Sequence, residues 1–246
     1  IIIYGAMVMQ GVMEEKTNRI IEVMISSVKP FDLMMGKIIG IGFVGLTQVF
    51  LWGILTAVLV SGSLFFFGGS ASPEDMMTAQ MAAQGMGDMA AGSSEISIQV
   101  QEIINSINFK MIGICFVLYF IGGYLLYAAL FAAIGSALEQ QEDTQQFMTP
   151  IMLLMAFSLY AGIYSMNNPD GPLAFWCSMV PFTSPIVMMV RLPFDIPVWE
   201  LLLSFALLFA TAIFIVWFSA KIYRVGILMY GKKPSIKEML KWLKYK

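Results

Sequence analysis

The stretch IIGIGFVGLTQVFLWGILTAVLVSGSLFFFGG, residues 38–69, contains no charged side chain. As an α-helix rising 1.5 Å per residue it is about 48 Å long, which exceeds the roughly 30 Å hydrocarbon core of a bilayer. A face of small residues, which lets helices approach closely in lipid, lies at its start: Gly36, Gly40, Gly42 and Gly45. The stretch therefore predicts a membrane-spanning helix that packs against other helices.

The remaining sequence is similarly apolar. Of its 246 residues, 59% are hydrophobic and only 12% are charged, whereas a soluble domain carries about 25% charged residues. Three further apolar stretches, residues 111–138, 150–166 and 199–220, are long enough to be spans. The predicted fold class is all-α, a polytopic transmembrane helical bundle.

Residues 1–12 are apolar but too short to cross a bilayer on their own. They lack the basic region and the cleavage site of a signal peptide. We expect them to be the end of a spanning helix whose first half precedes this sequence. The chain is accordingly expected to be the C-terminal part of a longer protein.

The first polar block, residues 13–37, has the spacing of an amphipathic helix. Its apolar face consists of Met13, Ile20, Ile21, Met24, Ile25 and Val28, and its polar face of Glu14, Glu15, Lys16, Asn18, Arg19 and Glu22. Pro30 disfavours helix at Lys29 and so ends the pattern. Such a helix either lies on lipid or contacts a protein. The even balance of acids and bases favours a protein partner, because lipid-surface helices are normally rich in Lys and Arg.

Prolines interrupt the apolar residues 173–197, at Pro181, Pro185, Pro193 and Pro197. Each piece between prolines is too short to span. Broken backbone at membrane depth is tolerated where it is buried in protein or faces a cavity. The segment therefore predicts a re-entrant helical hairpin that returns to the side it came from. Its Arg191 is expected either to reach lipid headgroups or to pair with Asp195.

Threading these spans places 12 of the 14 Lys and Arg on one side, which the positive-inside rule makes cytoplasmic. The predicted order is the end of a span (1–12), a cytoplasmic amphipathic helix and the approach to the next span (13–37), a span (38–69), an external segment (70–110), a span (111–138), a cytoplasmic turn (139–149), a span (150–166), the external hairpin (167–198), a span (199–220) and a cytoplasmic basic tail (221–246). The tail is expected to bind anionic lipid and not nucleic acid.

Several kinds of chemistry are missing from the sequence. The four predicted spans hold no ionisable side chain when the last is counted from Leu201, which disfavours a proton- or ion-coupled carrier. There is no histidine and no Gly-x-x-x-x-Gly-Lys-Ser/Thr phosphate loop. Cys115 and Cys177 lie in apolar sequence and fit no zinc spacing. We therefore expect no enzymatic activity, catalytic residue, metal or cofactor in this chain.

Two groups of side chains allow alternative interpretations. The methionines Met76, Met77, Met81, Met86 and Met89 either bind Cu(I) or merely reflect a chain with 21 methionines, and the second interpretation is favoured. The polar groups within spans either line a substrate path or join helices by hydrogen bonds, and again the second is favoured. These groups are Thr47, Gln48, Tyr119, Tyr124, Tyr127 and Ser136.

The run Glu14-Glu15-Lys16-Thr17-Asn18-Arg19-Ile20-Ile21-Glu22-Val23-Met24 is followed by Ser26-Ser27 and by Gly36-Lys37. It resembles the coupling-helix region of ATP-binding-cassette permeases of the type 2 membrane family, and those related to sodium-efflux permeases look closest. The resemblance continues at residues 122–146, 181–185 and 221–226. It covers nearly the whole chain in order.

The resemblance implies a permease that works as a dimer with a second copy. A separate ATP-binding-cassette ATPase subunit, which binds the ATP and the Mg, would dock on Glu14, Glu15, Arg19, Glu22, Met24 and Ser26. Glu139, Glu142 and Asp143 would be solvated or lie beside that subunit. The external re-entrant hairpin would include Pro181, Thr183, Ser184, Pro185 and Arg191. Family members usually carry a first span and a large external domain that this sequence does not contain.

The expected function is the permease subunit of an ATP-driven exporter, multi-pass in a bacterial cytoplasmic (inner) membrane with the C-terminus inside. The alternative is a secondary carrier or a non-transporting membrane assembly protein. The uncharged spans favour lipids, drugs or other amphipathic substrates, while the likeness to sodium-efflux permeases favours ions. The choice of substrate stays open.

Overall fold

The computed structural model describes residues 1–18, 27–67, 109–138, 141–194, 196–227 and 229. Within these residues every regular element is helical and no strand is present, so the all-α prediction is confirmed. The α-helices are α1 (Ile2–Thr17), α2 (Pro30–Phe67), α3 (Phe109–Ala137), α4 (Gln141–Asn167), α5 (Pro172–Met179), α6 (Ser184–Arg191) and α7 (Val198–Gly226), and a 3₁₀ turn covers Leu192–Phe194.

Four of these helices are long and apolar enough to cross a membrane. The candidate spans are Pro30–Leu59, Lys110–Ala137, Asp143–Asn167 and Val198–Gly226. They coincide with the four apolar stretches of the sequence. The first begins at Pro30, and proline suits the first helical position because an N–H there would have no partner within the helix. Asp32 in the first turn interacts favourably with the positive end of the helix dipole.

The chain forms two compact units, Ile1–Gly45 with Lys110–Lys246, and Leu46–Phe109. The described part of the second unit is the continuation of α2. Its side chains from residue 47 to residue 59 are exposed, and most of them are apolar, including Phe50, Trp52 and Leu59. A contiguous apolar surface of this size is typical of a helix that faces lipid.

In the first unit, α1 packs directly against α3. A Cβ on Gly135 would lie 2.6 Å from the carbonyl oxygen of Met9, so the two backbones touch and only glycine fits. Gly5 packs in the same way on the ring of Phe131. Both sequence numbers rise together along the contact, so α1 and α3 run in parallel. Small residues at such crossings let helices in lipid gain dispersion contacts.

The start of α2 runs antiparallel to α1. Gly45 of α2 packs against Tyr4, near the beginning of α1, while Lys37 reaches Gly11. Tyr124 of α3 covers Gly42 and donates a 2.7 Å hydrogen bond to the Ile38 carbonyl. The buried side chains at this junction form one cluster: Val8, Val12, Met34, Ile38, Tyr124, Ala128, Ala129, Ala132, Tyr223 and Ile227.

The last helix, α7, runs parallel to α3. Tyr119 of α3 approaches Leu201 near the start of α7, and Gly122 packs against Leu208 one to two turns later. The C-terminal ends of α1, α3 and α7 therefore lie at the same end of this unit. Since α4 begins just after α3 ends and returns in the opposite direction, its own end lies near the start of α7.

Residues 168–197 leave and return at that opposite end. Arg191 bonds both the Pro169 carbonyl, just after α4, and Glu200 in the first turn of α7. The helices α5 and α6 contact each other, and both contact α4 and α7. The sequence-based break in helix is observed at residues 180–183.

Two element boundaries differ from the sequence-based expectation. The helix that contains residues 1–12 continues without a break to Thr17, so residues 13–17 belong to it and not to a separate amphipathic helix. The expected turn at residues 139–149 is helical from Gln141, with Pro150 inside α4. Acidic side chains near a helix N-terminus interact favourably with the positive end of the helix dipole, which stabilises a helix that begins within the acidic block. Pro150 removes only one backbone hydrogen bond, so the helix can continue through it.

Candidate functional sites at the two ends of α7

The first site centres on Lys16 in the last turn of α1. Its side chain is 1% exposed, and its Nζ donates to the carbonyl oxygens of Ser136 at 2.7 Å and Gly226 at 2.8 Å. Both carbonyls belong to final helical turns, where four acceptors lack an intrahelical partner. A cation is also favourable at the negative end of a helix dipole. Lys16 therefore joins the ends of three helices.

A second lysine links α2 to α1 at the same end. Lys37 Nζ donates to the Gly11 carbonyl at 2.6 Å and forms an ion pair with Glu15 Oε2 at 2.6 Å. The two side chains of the pair are 16% and 28% exposed, so water screens them only in part. Gly11 and Glu15 are one helical turn apart, so Lys37 lies along one face of α1.

Only part of the expected docking surface lies in the described residues. Glu14 is exposed at the end of α1, and Glu15 is held by Lys37. Arg19, Glu22, Met24 and Ser26 lie outside the described residues, so their docking role stays a prediction. The segment that contains them begins three residues after Lys16 and ends just before α2, and it is therefore flanked on both sides by a lysine bound to another helix.

The start of α4 approaches the same helix end. The hydroxyl of Thr144 lies 3.8 Å from the Met13 sulfur, and Asp143 is half-buried beside it. Glu139 lies outside the described residues, and the side chain of Glu142 is likewise not described. Thr144, which follows the acidic block, therefore contacts α1 three residues before Lys16.

The second site, at the other end of α7, centres on Arg191, which is 2% exposed. Its guanidinium donates from Nε to the Pro169 carbonyl at 2.7 Å and from Nη1 to Ser178 Oγ at 2.6 Å. Its Nη2 lies 3.0 Å from Glu200 Oε2. Ser204 of α7 adds a 2.6 Å bond to the Ser178 carbonyl. One cation therefore binds the loop after α4, helix α5 and the first turn of α7 to α6.

The expectation that Arg191 reaches lipid headgroups does not match this geometry. A side chain that is 2% exposed does not reach lipid headgroups, and the observed partner is Glu200. Asp195 lies outside the described residues. Glu200 was not predicted as a site residue, because the last span was counted from Leu201 when ionisable side chains were sought. The signal available was a lone carboxylate at the start of an apolar helix, nine residues after a lone arginine.

The predicted hairpin residues surround the break between α5 and α6. The Thr183 hydroxyl lies within hydrogen-bonding distance of the Cys177 and Val180 carbonyls. Ser184 and Pro185 are buried, and Pro181 is half-buried. Thr183 and its neighbours therefore replace backbone bonds that the broken helix leaves open.

Helix α3 holds this break in place. A Cβ on Gly123 would lie 2.9 Å from Pro185, so the helix backbone passes close to the turn. Tyr127 donates a 2.7 Å hydrogen bond to the Phe182 carbonyl, and Tyr119 lies 3.4 Å from the Leu201 carbonyl. For Tyr119 and Tyr124 the prediction of helix–helix hydrogen bonds is confirmed, whereas Tyr127 bonds the turn between α5 and α6. Ser136 instead bonds Ala133 within its own helix.

The remaining candidate groups are the two cysteines and possible metal ligands. Cys115 and Cys177 are buried free thiols, and burial raises the pKa of the Cys177 thiol, which favours its protonated form. In the described part of the chain, no group of three or more His, Cys, Asp or Glu is placed to hold a metal ion. The methionines between residues 76 and 89 lie outside the described residues.

Comparison with known sequences identifies the family. The profile of the ABC-2 family transporter proteins matches residues 1–221, which is most of the chain. This chain is a member of the ABC-2 transporter family. The expected family is therefore confirmed, and with four candidate spans the chain is a multi-pass membrane protein of that family.

Two relatives match almost the whole chain. The uncharacterized protein YhaP of Bacillus subtilis (strain 168) is 29% identical over 239 residues, covering 96% of this chain and 50% of YhaP. The uncharacterized protein MJ1024 of Methanocaldococcus jannaschii is 24% identical over 238 residues, covering 96% of this chain and 49% of MJ1024. The ABC-2 chain thus spans about half the length of these relatives. No solved structure matches it.

Proposed function

We propose that this ABC-2 chain is the permease subunit of an ATP-driven exporter, and that a separate ATPase subunit docks on Glu14, Glu15 and the docking segment, residues 19–28. One observation carries the proposal. The segment that resembles a coupling helix connects α1 to α2, and these antiparallel neighbours are bound to each other by Lys37 through Gly11 and Glu15. A push on the segment therefore displaces two helices together.

The mechanism follows from that connection. Nucleotide binding closes the partner ATPases, which bind the ATP and the Mg. The docking segment moves with them and shifts α1 and α2 relative to α3. In a dimer of two permease copies, this shift changes the side to which the interface between copies opens.

The orientation belongs to the same proposal. The proposed location is the bacterial cytoplasmic (inner) membrane. By the positive-inside rule, the end with Lys16, Lys37 and the basic tail then faces the cytoplasm. The end with Arg191 and Glu200 then faces outward, and α5 and α6 form the external re-entrant hairpin. Broken helices at membrane depth need protein partners for their backbone, and Thr183 and Tyr127 supply such bonds.

Charge reversal in the docking segment tests the proposal. The tagged full-length protein is co-expressed with a candidate ATP-binding-cassette ATPase subunit from the same organism, and Arg19→Glu and Glu22→Arg are combined. We expect the ATPase to co-purify with the unmodified protein and to be lost from the variant. Lys110→Glu, a reversal at an exposed position on the other side of the membrane, is the control and retains the ATPase.

Transport measurements separate the alternatives. Vesicles containing the complex are loaded with sodium or with a fluorescent lipid, so that both substrate classes are covered. Export that requires ATP supports the exporter. Export that continues without ATP identifies a secondary carrier. If no ATPase co-purifies and neither substrate moves, the assembly-protein alternative replaces the exporter.

A further inference from the structure

We infer that Lys16 is a positioning residue that passes movement of the ATPase-docking segment to the C-terminal ends of α3 and α7. The inference rests on the proposed function and adds to it the residue through which the movement travels. Lys16 lies three residues before the segment on the chain. Its ammonium is bound to the last turns of α3 and α7, which no covalent connection joins to α1 nearby.

The contact is a stiff one. The Lys16 side chain and the neighbouring Ser136, Tyr223 and Ile227 are all 0–1% exposed. In such a dry environment, hydrogen bonds from a cation are stronger than in water, and an unpaired ammonium is costly. The Nζ therefore stays with its two carbonyls, and when the end of α1 moves, the ends of α3 and α7 move with it.

Helix α7 extends the movement to the other end of the molecule. It is continuous from Val198 to Gly226, and at 1.5 Å per residue Glu200 and Gly226 are about 39 Å apart. Glu200 is paired with Arg191, which binds the turn after α4 and helix α5. A displacement applied at Gly226 therefore reaches α5 and α6 through one unbroken helix and one ion pair.

A purely structural role for Lys16 is the alternative. An ammonium that caps two helix ends stabilises the fold whether or not it transmits anything. The two roles differ in one measurable respect. Loss of a cap lowers the melting temperature, whereas loss of transmission separates ATP hydrolysis from movement at the far end of α7 even in protein that is folded and bound to its ATPase.

The experiment measures that movement directly. In full-length protein from which every native cysteine, including Cys115 and Cys177, has been removed, Val198→Cys places a single exposed thiol at the start of α7. The complex with its ATPase is held in lipid nanodiscs, and the rate of maleimide labelling is compared without nucleotide and with ATP plus vanadate. We expect the two rates to differ about fivefold or more, the lower range of allosteric coupling.

Lys16→Met is then added. We expect the ATPase to remain bound and to hydrolyse ATP, while the ratio of the two labelling rates falls towards one. Lys221→Met is the matched control, because Lys221 lies at the same end of α7 and its Nζ lies 4.1 Å from the centre of the Trp217 ring of its own helix. That variant keeps the full ratio. Lys16→Gln, which is shorter and reaches at most one carbonyl, lowers the ratio as well and decides the matter if Lys16→Met does not fold.

Three results would overturn the inference. A Lys16 variant that keeps the full ratio shows that the movement takes another path. A variant that loses the ATPase together with the ratio shows that Lys16 serves docking and not transmission. If the Val198→Cys protein with its native Lys16 binds no ATPase at all, the proposed function fails first, and that failure is seen before any Lys16 variant is made.

Discussion

Among the residues that the structure describes, three charged side chains are almost completely buried: Lys16, Arg191 and Glu200. Burying a charge is costly unless it is paired and hydrogen-bonded. Lys16 donates to two backbone carbonyls, whereas Arg191 combines a carbonyl, a hydroxyl and the Glu200 carboxylate. The two ends of α7 are therefore fixed by ions, not by apolar packing alone.

The free energy of unfolding should depend on the Arg191–Glu200 ion pair. Arg191→Met leaves a buried carboxylate without its cation and should lower the free energy of unfolding by about 3 kcal/mol. The double variant Arg191→Met with Glu200→Met removes both charges and should cost clearly less than the single change. Unfolding in mixed micelles with increasing SDS measures both. Equal losses in the single and double variants would show that the pair does not act as a unit.

Individual residues were the hardest part to predict. The acceptors of Lys16 lie 120 and 210 residues away in sequence and are backbone atoms, so no side-chain pattern indicates them. Helical spacing placed Lys16 on the polar face with Glu14 and Glu15, and the fold buried it. Tyr119 and Tyr124 were predicted correctly, because a hydroxyl inside a span seeks a hydrogen-bond partner on a neighbouring helix.

At the scale of elements, the contact between α1 and α3 depends on glycine. Gly135→Ala would place a methyl group 2.6 Å from the Met9 carbonyl, and a backbone atom cannot move aside as a side chain can. The helices must separate, so we expect a loss of about 1–3 kcal/mol in the free energy of unfolding. SDS titration followed by tryptophan fluorescence provides the measurement.

The control for this variant lies on the same helix. A Cβ on Gly113 of α3 would meet no atom within 4 Å. Gly113→Ala should therefore be neutral or raise the free energy of unfolding by up to about 1 kcal/mol, because alanine is the better helix former. If Gly135→Ala were as mild as Gly113→Ala, the close approach of α1 and α3 would be wrong.

Elements were mostly predictable, and their ends were not. An uncharged run such as residues 38–69 can only be a span, and prolines mark the break between α5 and α6 because each removes a backbone donor. The start of α4 at Gln141 was not predicted, since a polar, glutamine-rich block is compatible with both a turn and a helix that extends beyond the bilayer.

At the scale of the whole molecule, the parallel course of α1, α3 and α7 fixes which segments share a side. Val28, just before α2, lies at the end with Lys16, and Val198 lies at the opposite end. The background is protein from which the native cysteines, including Cys115 and Cys177, have been removed. An impermeant maleimide added to intact spheroplasts should label Val198→Cys but not Val28→Cys. Inverted membrane vesicles should give the reverse. Labelling of both positions from one side would contradict the proposed topology.

The distribution of Lys and Arg predicts which side of the membrane each end of the molecule faces, because it depends on loops and not on contacts, and this orientation stays a prediction. It could not indicate which helices touch. The pairing of α1 with α3, and of α3 with α7, arises from the fit of particular side chains such as Gly135 with Met9 and Gly122 with Leu208.

The bridge made by Lys16 also orders the assembly of the protein during synthesis. Its second acceptor, Gly226, follows it by 210 residues, which takes about 10–40 s to translate at 5–20 residues per second. Until α7 has been synthesised and inserted, the Gly226 carbonyl is not there to accept from Lys16, so the end of α1 gains this contact only late in synthesis.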